Sequence, residues 1–499
     1  MSSLYRPVLA PLPFLLWKTP PGLELILAQE GIAFEVVRDA RPFAFGRGRF
    51  ILFDGRRTEQ SRLRAMLTHE HVAIDIDSLR GNEPVDPFQA LIDVQAAPAI
   101  WKYRGWNLRE RVARYPKAWI SRRLLELLRQ QILASGGVWI RLAPFPHPFR
   151  SAFSFRVDLD EPVPEDYQRF ALTRNLLADC CTHFVSTHAY AEQPEVMGDL
   201  KHYDTQSHGH FHYVYRDPES NCRNVERAHR LLRAAGFAPT GFAAPHGRWN
   251  PGLDDALEAL GYTFSSDFQL GYDDFPFYPW KGGRFSRVLQ VPVHPVCEGL
   301  FLDIGVSDSR VVENYLSRVV AAKVQGGEPA LVYGHPERRL GRMPEILIAL
   351  HRWLEQQPLV WRTTLTELAQ WWRWRGSRKY MVWPRQGNRL EIQFEEWDSE
   401  YPLAMEVYRP GFSSLLPLSG PRTVVALEEL VYERREPPRD GVIVPPALDQ
   451  RHQSLRDTVA RALDWETVTP LHELSAASLP ERLKKGLRWW KQQRTGTGG

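Results

Sequence analysis

The chain has 499 residues, 43% of them hydrophobic and 24% charged, with 63 basic against 59 acidic side chains. This composition is typical of a globular protein with ample material for a core, and the length predicts two to four domains. The even charge balance argues against nucleic acid as a partner, and no apolar stretch is long enough to span a membrane. The short apolar segment near the N-terminus is broken by Pro11 and Pro13 and does not fit a cleaved signal peptide.

Four cysteines, at positions 180, 181, 222 and 297, form no C-x-x-C pair. So few cysteines in so long a chain indicate reduced thiols. We therefore expect a cytoplasmic protein.

The first part of the chain, residues 1–85, alternates between strand-like and helical segments. Strand patterns fall at 15–17, 33–37, 49–55 and 72–76, with helical patterns at 22–30 and 60–69 between them. This alternation predicts a small open α/β domain with a parallel sheet.

Residues 86–150 are predicted to form a helical connecting region. Apolar side chains recur at helical spacing over 121–134, Gly136 and Gly137 end that helix, and 138–142 begins a strand.

The central part, residues 151–375, alternates strands and helices again. Strand patterns fall at 241–244, 262–266, 288–293 and 330–334, and helical patterns at 225–235, 252–260, 311–325 and 344–356. Repeated units of this kind predict a (β/α) barrel, irregular or incomplete, whose site would lie at the carboxyl ends of the strands.

The character of the chain changes after residue 375. Short, partly alternating strands predict a β-rich domain over 376–446. The last part, 447–499, is predicted to be a helical basic tail. Its segment 481–491 combines basic residues with tryptophan, so it could contact a membrane surface or an acidic partner, or form a solvated terminal helix.

Two aspartates and two histidines suggest a metal site. Asp158 and Asp160 end an apolar run that indicates a buried strand, and His208 and His212 follow about fifty residues later, four positions apart. That spacing lets the two imidazoles share one face and hold one ion. One carboxylate and two imidazoles with open positions for water describe a catalytic metal site. His210, between them, is interpreted as a packed or hydrogen-bonded bystander.

Four motifs in order resemble those of the polysaccharide deacetylase superfamily, which are metal-dependent carbohydrate esterases that remove N- or O-acetyl groups. Residues 158–161, Asp-Leu-Asp-Glu, resemble its acidic strand end D-x-D-x-E, and 208–212 keeps both histidines of H-[ST]-x-x-H. Residues 243–247, Ala-Ala-Pro-His-Gly, resemble its R-x-P-[YF]-G turn, and 331–335 resembles a strand ending L-x-H with one residue more. The resemblance covers 151–375 and implies an irregular deacetylase-like (β/α) barrel.

The resemblance and the chemistry of the side chains imply the same roles. Asp160, His208 and His212 would hold a divalent metal ion; zinc is expected, although cobalt, nickel or iron suit the same ligands. Asp158 would act as general base and His335 would protonate the leaving group. The two aspartates could also exchange their roles.

Three further assignments complete the predicted site. The backbone N–H of His246 could face the oxyanion. Asp267 or Asp274 could orient the imidazole of His335. Glu161 is a further candidate for the acidic role.

The sequence departs from the family pattern at two positions. Ala243 stands where many members carry an arginine that holds the base aspartate, and Arg248 or Arg156 could replace it. Gly209 stands where serine or threonine is usual, which removes a hydroxyl from the neighbourhood of the site.

The residues predicted to contact substrate are Pro245, Arg248 and Trp249. Trp249 and Trp280 could stack on a sugar or pack in the core. His294, which ends another strand pattern, could line the pocket or serve a structural role.

We therefore expect a metal-dependent hydrolase acting on carbon–nitrogen bonds other than peptide bonds. Its substrate would be an N-acetylated (or O-acetylated) sugar or glycoconjugate precursor. One alternative is a barrel that has lost activity and serves as a binding or assembly module, with Ala243 and Gly209 as traces of the loss. Another is an amidohydrolase acting on a non-sugar amide.

Overall fold

The computed structural model describes residues 12–37, 50–58, 61, 63, 67, 71–81, 84–215 and 217–434, together with the backbone of Ala447–Leu448. The predicted basic tail over 447–499 lies outside the described residues, apart from those two positions. Within the described ranges, every helix is too short or too polar to cross a membrane.

A four-stranded parallel sheet forms the N-terminal part, with the order β2-β1-β3-β4. Its strands are β1 (Phe14–Trp17), β2 (Phe34–Val37), β3 (Phe50–Phe53) and β4 (Val72–Asp75). Helix α1 (Pro21–Glu30) connects β1 to β2 and ends at Gly31, whose φ of 77° suits the left-handed cap position. Every side chain of β1 and β3 is buried, as expected for strands covered on both faces.

The next part contains more strand than the sequence predicts. Its helices are α2 (Asp77–Arg80), α3 (Pro87–Ile92) and α4 (Lys117–Ala134), and its strands are β5 (Ala96–Tyr103), β6 (Trp106–Ala113) and β7 (Trp139–Leu142). Strands β5 and β6 form an antiparallel hairpin. Its two turn residues, Arg104 and Gly105, both have positive φ, as a tight hairpin turn requires. The hairpin was not predicted, because β5 is almost wholly apolar and β6 carries three successive charged residues at 109–111, so neither segment shows the apolar–polar alternation of a strand.

The central sheet carries eight strands, all parallel, in the order β15-β12-β11-β10-β9-β8-β16, with β17 also pairing with β8. These strands are β8 (Ser151–Leu159), β9 (Cys181–Val185), β10 (Asp204–Ser207), β11 (Gly241–Ala243), β12 (Phe264–Ser266), β15 (Leu289–Gln290), β16 (Ala330–Gly334) and β17 (Val360–Arg362). Between β12 and β15, β13 (Trp280–Lys281) and β14 (Arg284–Phe285) form a small hairpin. All nine residues of β8 are buried, so this strand lies at the centre of the core.

Helices follow most strands of the central sheet. They are α5 (Pro164–Arg174), α6 (Thr187–Tyr190), α7 (Pro194–Asp199), α8 (Pro218–Ala234), α9 (Pro251–Ala259), α10 (Glu298–Asp303), α11 (Ser309–Gln325), α12 (Pro344–Leu354) and α13 (Leu365–Ser377). Parallel strands alternating with helices give the irregular, incomplete (β/α) barrel expected from the sequence.

The C-terminal part is antiparallel. Its strands are β18 (Tyr380–Arg385), β19 (Arg389–Phe394), β20 (Ala404–Arg409), β21 (Phe412–Pro417), β22 (Arg422–Ala426), β23 (Glu433–Arg434) and β24 (Ala447–Leu448). Strand β20 also pairs with β7, and β24 with β5, so strands from 86–150 share sheets with C-terminal ones. The fold class predicted from the sequence is confirmed, with α/β parts followed by β-rich sheets.

One buried arginine joins three parts of the chain. Arg375, near the end of α13, donates hydrogen bonds to the carbonyl oxygens of Gln29 and Glu30 at the end of α1, and to those of Leu142 and Ala143 after β7. The carbonyls at the carboxyl end of a helix carry partial negative charge, which favours a cation there.

Candidate metal centre and active site

The carboxyl edge of the central sheet brings the predicted residues together. Asp158 lies in β8 and Asp160 follows its end, while His208 follows β10 and His335 follows β16. Because neighbouring parallel strands end at the same edge, residues from distant parts of the chain meet there.

Asp160, His208 and His212 converge on one point. The Oδ1 atom of Asp160 lies 3.2 Å from Nε2 of His208 and 3.3 Å from Nε2 of His212. One ligand atom from each of the three residues lies within 4.8 Å of the others, which is compatible with a shared ion. Burial alone would raise the pKa of Asp160, but the two imidazoles hold it well below its usual range. The carboxylate is therefore ionised.

The tautomer of His208 leaves a free lone pair towards Asp160. Its Nδ1 lies 2.7 Å from the carbonyl oxygen of Ala243, which can only accept, so Nδ1 carries the proton. Nε2 of His208 and Oδ1 of Asp160 are both buried, and with this tautomer neither has a hydrogen-bond partner among the described residues. Buried polar atoms without partners are rare, and two acceptors facing each other fit a divalent cation between them.

Arg156 holds the second aspartate. Its Nε lies 2.7 Å from Oδ1 of Asp158, and its Nη2 contacts Oδ2 of the same carboxylate. Burial alone would raise the pKa of Asp158, but Arg156 and His208 keep it below its usual value. The family's arginine is missing at Ala243, and either Arg156 or Arg248 could replace it. Arg156 is the one that contacts Asp158. Arg156 and Asp158 lie two positions apart on β8, so their side chains point to the same face of the sheet.

Glu161 lies away from this cluster. Its side chain is largely exposed and lies 3.6 Å from a guanidinium nitrogen of Arg338. Of the three candidates for the acidic role, Asp158 and Asp160 therefore lie at the centre and Glu161 does not.

His335 is held by Glu298, which the sequence analysis missed. The Oε1 atom of Glu298 lies 3.0 Å from Nδ1 of His335 and accepts the backbone N–H of His335 at 2.7 Å. The Nε2 atom of His335 lies 3.7 Å from Oδ2 of Asp160. Burial lowers the pKa of His335, but the hydrogen bonds that the ring donates to Cys297 and Glu298 outweigh it and raise the pKa to about 10.

The prediction that Asp267 or Asp274 orients His335 is wrong. Asp267 accepts hydrogen bonds from the Ser265 hydroxyl and the Ala244 backbone, and Asp274 accepts from Gln29. Glu298 comes from the start of α10, and no local pattern marks it.

A glycine makes room for this pair. A Cβ at Gly334 would lie 2.6 Å from Oε2 of Glu298. The glycine at position 334 therefore has a steric explanation.

The turn Pro245–Gly247 follows β11. His246 adopts φ of 57° and Gly247 φ of 58°, and a Cβ at Gly247 would lie 2.3 Å from the ring of Phe268. The imidazole of His246 packs edge-to-face on His212, with ring centroids 4.8 Å apart. The turn thus places His246 beside the metal-ligand candidates.

Gly209 also has a conformational explanation. Its φ is 84°, a conformation that favours glycine, and a Cβ there would lie 3.1 Å from Nδ2 of Asn224. The adjacent His210 is buried, with Nδ1 3.0 Å from the hydroxyl of Thr187. This geometry matches the interpretation of His210 as a hydrogen-bonded bystander.

The residues predicted to contact substrate differ in exposure. Pro245 and Trp249 are buried and Arg248 is partly exposed. Trp249 belongs to the main hydrophobic core, which matches its core-packing alternative. His294 lies between Asp273, 2.8 Å from its Nδ1, and the hydroxyl of Tyr315, 2.9 Å from its Nε2, which matches a structural role.

A second acid near the centre was also missed. Glu337 is buried, accepts a hydrogen bond from the hydroxyl of Tyr190, and has an Oε2 atom without a partner. Burial raises its pKa well above the usual value, and the charge of nearby Asp160 adds to the rise. Only its position two residues after His335 could have pointed to it.

No family model matches the chain, and no curated protein matches it. Among solved structures, the chain is similar to a Mycobacterium smegmatis protein described as a polysaccharide deacetylase, at 18% identity and a TM-score of 0.40, over 46% of this chain and 92% of that one. It is similar to Puue allantoinase at the same identity and TM-score, over 46% and 93%. It is also similar to a family 4 carbohydrate esterase from Streptomyces lividans in complex with acetate, at 12% identity and a TM-score of 0.30, over 42% and 90%. These likenesses cover 42–46% of this chain, in its central part.

Proposed function

We propose that the central barrel is a divalent-metal-dependent hydrolase that removes an acetyl group from an N-acetylated or O-acetylated sugar or glycoconjugate precursor. The observation that carries this proposal is the pair of buried acceptors without partners, Oδ1 of Asp160 and Nε2 of His208. Beside them stand an arginine-held aspartate and a glutamate-held histidine.

Asp160, His208 and His212 would hold the ion. Two imidazoles and one carboxylate suit zinc best, and they leave coordination positions open. The bound ion would polarise the acetyl carbonyl and lower the pKa of a coordinated water.

Asp158 would take the proton of the attacking water. Its low pKa keeps it ionised at neutral pH, and its two contacts with Arg156 fix its orientation. A carboxylate has about four acceptor positions, so this pairing leaves room for a further hydrogen bond. Proton transfer by a positioned base contributes about 10²–10⁴-fold to a rate.

His335 would protonate the leaving amine or alcohol. Glu298 fixes the ring by its Nδ1 atom, so that Nε2 points towards the Asp160 side of the site. A protonated imidazole is the form that a general acid needs. The backbone N–H of His246 is proposed to face the oxyanion, and Arg248 to contact the sugar at the partly exposed rim.

The cysteines support the expected cytoplasmic location. All four are free thiols, and three are buried. The proposed substrate is therefore an intracellular acetylated sugar or glycoconjugate precursor.

The test is acetate release from a panel of N-acetylated and O-acetylated sugars by the zinc-loaded full chain. We expect release with at least one sugar, and a loss of about 10²–10⁴-fold in kcat for Asp158→Asn. His210→Ala is the matched control, because His210 lies between the proposed ligands but turns towards Thr187. Equal activity in Asp158→Asn and the wild type would contradict the assignment of the base.

A further inference from the structure

A large cleft lies apart from the proposed active site. Its volume is about 940 Å³, and its lining includes one side of α4, the segment 273–275, the loop 326–329 and the turn between β20 and β21. None of the proposed catalytic or metal-binding residues lines it. This volume lies within the range of about 300–1,000 Å³ that is usual for ligand pockets.

Two buried polar side chains in the cleft have unused hydrogen-bonding capacity. Asp274 is 7% exposed, and its Oδ1 accepts from the backbone N–H of Phe275 at 2.8 Å and from the amide of Gln29 at 3.5 Å. No lysine or arginine among the described residues forms an ion pair with this carboxylate. The hydroxyl of Ser121, 5% exposed, has no hydrogen-bond partner within the part of the chain that the structure describes. Polar groups buried in this way usually have partners, so a ligand is the natural candidate.

The charges around the cleft indicate a neutral ligand. Glu328 pairs with Arg122 at 2.5 Å and with Lys323 at 2.9 Å, and Lys117 donates to the carbonyl oxygen of Asp93 at 2.6 Å. Burial raises the pKa of Asp274 to about 6. The positive charges of these three cations, which form no ion pair with Asp274, oppose this rise and keep it smaller. Asp274 is thus mainly ionised at neutral pH. The lining as a whole carries five carboxylates and five guanidinium groups, so its charges balance and favour neither a cationic nor an anionic ligand. A neutral hydroxyl donor suits such a lining.

Aromatic side chains line the same cleft and reach solvent. Trp119 and Phe412 are each 45% exposed. Arg123 lies over the indole of Trp119, 5.7 Å from its centroid. An aromatic ring beside hydrogen-bonding groups suits a ligand that has both an apolar face and hydroxyls.

We propose that this cleft is a second, non-catalytic binding site for a neutral carbohydrate chain. Because Trp119 and Ser121 lie two positions apart on α4, different units of the chain contact them: hydroxyls of one sugar donate to Asp274 and bond to Ser121, while the apolar face of another ring lies against Trp119. The proposal goes beyond the proposed hydrolysis and does not depend on it.

The experiment titrates the full-length His208→Ala/His212→Ala variant by calorimetry at neutral pH. This background removes the proposed metal ligands and leaves the cleft intact. The probes are the neutral tetramers of β-1,4-linked glucose, xylose and N-acetylglucosamine, with the cationic glucosamine tetramer for comparison. We expect at least one neutral tetramer to bind, and Trp119→Ala and Asp274→Asn each to weaken it about tenfold or more. Trp353→Ala, on α12 and outside the cleft, should leave affinity unchanged.

Because Trp119 is half-exposed, its variant reports on binding even where a substitution at buried Asp274 disturbs the fold. No binding of any neutral tetramer would overturn the proposal. Binding that survives Trp119→Ala, that favours the glucosamine tetramer, or that vanishes with the two histidine substitutions would also overturn it. Binding of a neutral tetramer together with no acetate release from any sugar of the acetylated panel would support the cleft and contradict the proposed function, so the two failures are distinguishable.

Discussion

Replacing Arg156 by methionine should strongly destabilise the protein. The Asp158 carboxylate is 3% exposed and contacts two nitrogens of Arg156. Removing one partner of a buried ion pair costs about 3–5 kcal/mol, because the remaining charge stays buried without compensation. Arg156 also donates to the backbone carbonyl of Ser266 at 2.5 Å, and hydrogen bonds of charged groups contribute about 1.5–3 kcal/mol. We expect a loss of about 4 kcal/mol or more in the free energy of unfolding.

Chemical denaturation followed by tryptophan fluorescence measures this loss. The double variant Arg156→Met/Asp158→Asn removes the uncompensated carboxylate, so its free energy of unfolding should be about 2 kcal/mol higher than that of Arg156→Met. Arg169→Met is the matched control, because Arg169 is exposed and its nearest acidic oxygens are 3.9 Å away; it should change stability by less than about 0.5 kcal/mol. An Arg156→Met variant within about 1 kcal/mol of the wild type would refute the reasoning, as would a double variant no more stable than the single one.

Three further outcomes are expected. Burial lowers the pKa of Lys117 from 10.5 to about 8. Between pH 8 and 10.5 the unfolded chain therefore binds more protons than the folded one, and the free energy of unfolding should rise by about 3 kcal/mol as the pH increases. Denaturation curves at a series of pH values measure this rise, and Lys117→Met should flatten it. Glu298→Gln should reduce kcat about 10–100-fold with little change in KM, because the imidazole of His335 loses its charged partner; an unchanged kcat would contradict this positioning role. Gly209→Ala should cost about 1–2 kcal/mol in thermal unfolding, and more than Gly236→Ala, whose φ is also positive but which has open space.

The proposed metal ligands were predictable from local patterns. A buried strand that ends at Asp160 and two histidines four positions apart are short-range signals, and parallel strands bring their ends together. Arg156 was one of two candidates for the arginine that holds Asp158, since residues two apart on a strand share a face. The sequence alone could not show whether Arg156 or Arg248 contacts Asp158, because the answer depends on how deeply β8 is buried in the core.

Other features depend on contacts that the local sequence does not mark. Glu298 lies 37 positions before His335, and neither a motif nor a periodicity connects the two. The hairpin lacks the usual strand alternation, because β5 is almost wholly apolar and β6 carries three successive charged residues at 109–111. Helical spacing dominates the neighbouring segment 121–134. Arg375 could not be predicted to join α1 and β7, because all its partners are backbone carbonyls, which every sequence has.

The division of the chain into parts stays a proposal. The predicted boundaries at 85, 150, 375 and 446 follow changes in sequence pattern, whereas the pairing of β7 with β20 joins the second part to the fourth. Limited proteolysis at these boundaries, followed by mass spectrometry of the fragments, would test which parts hold together.

The most direct test of the central claim is the metal content of the purified full chain, measured by elemental analysis after incubation with zinc and removal of unbound ions. We predict about one ion per wild-type chain, with loss in Asp160→Asn, His208→Ala and His212→Ala. The ion should be retained in His210→Ala, and also in Asp158→Asn, because that side chain is engaged by Arg156. A wild-type chain without metal would contradict the account, and loss of the ion in Asp158→Asn with retention in Asp160→Asn would reverse the roles of the two aspartates.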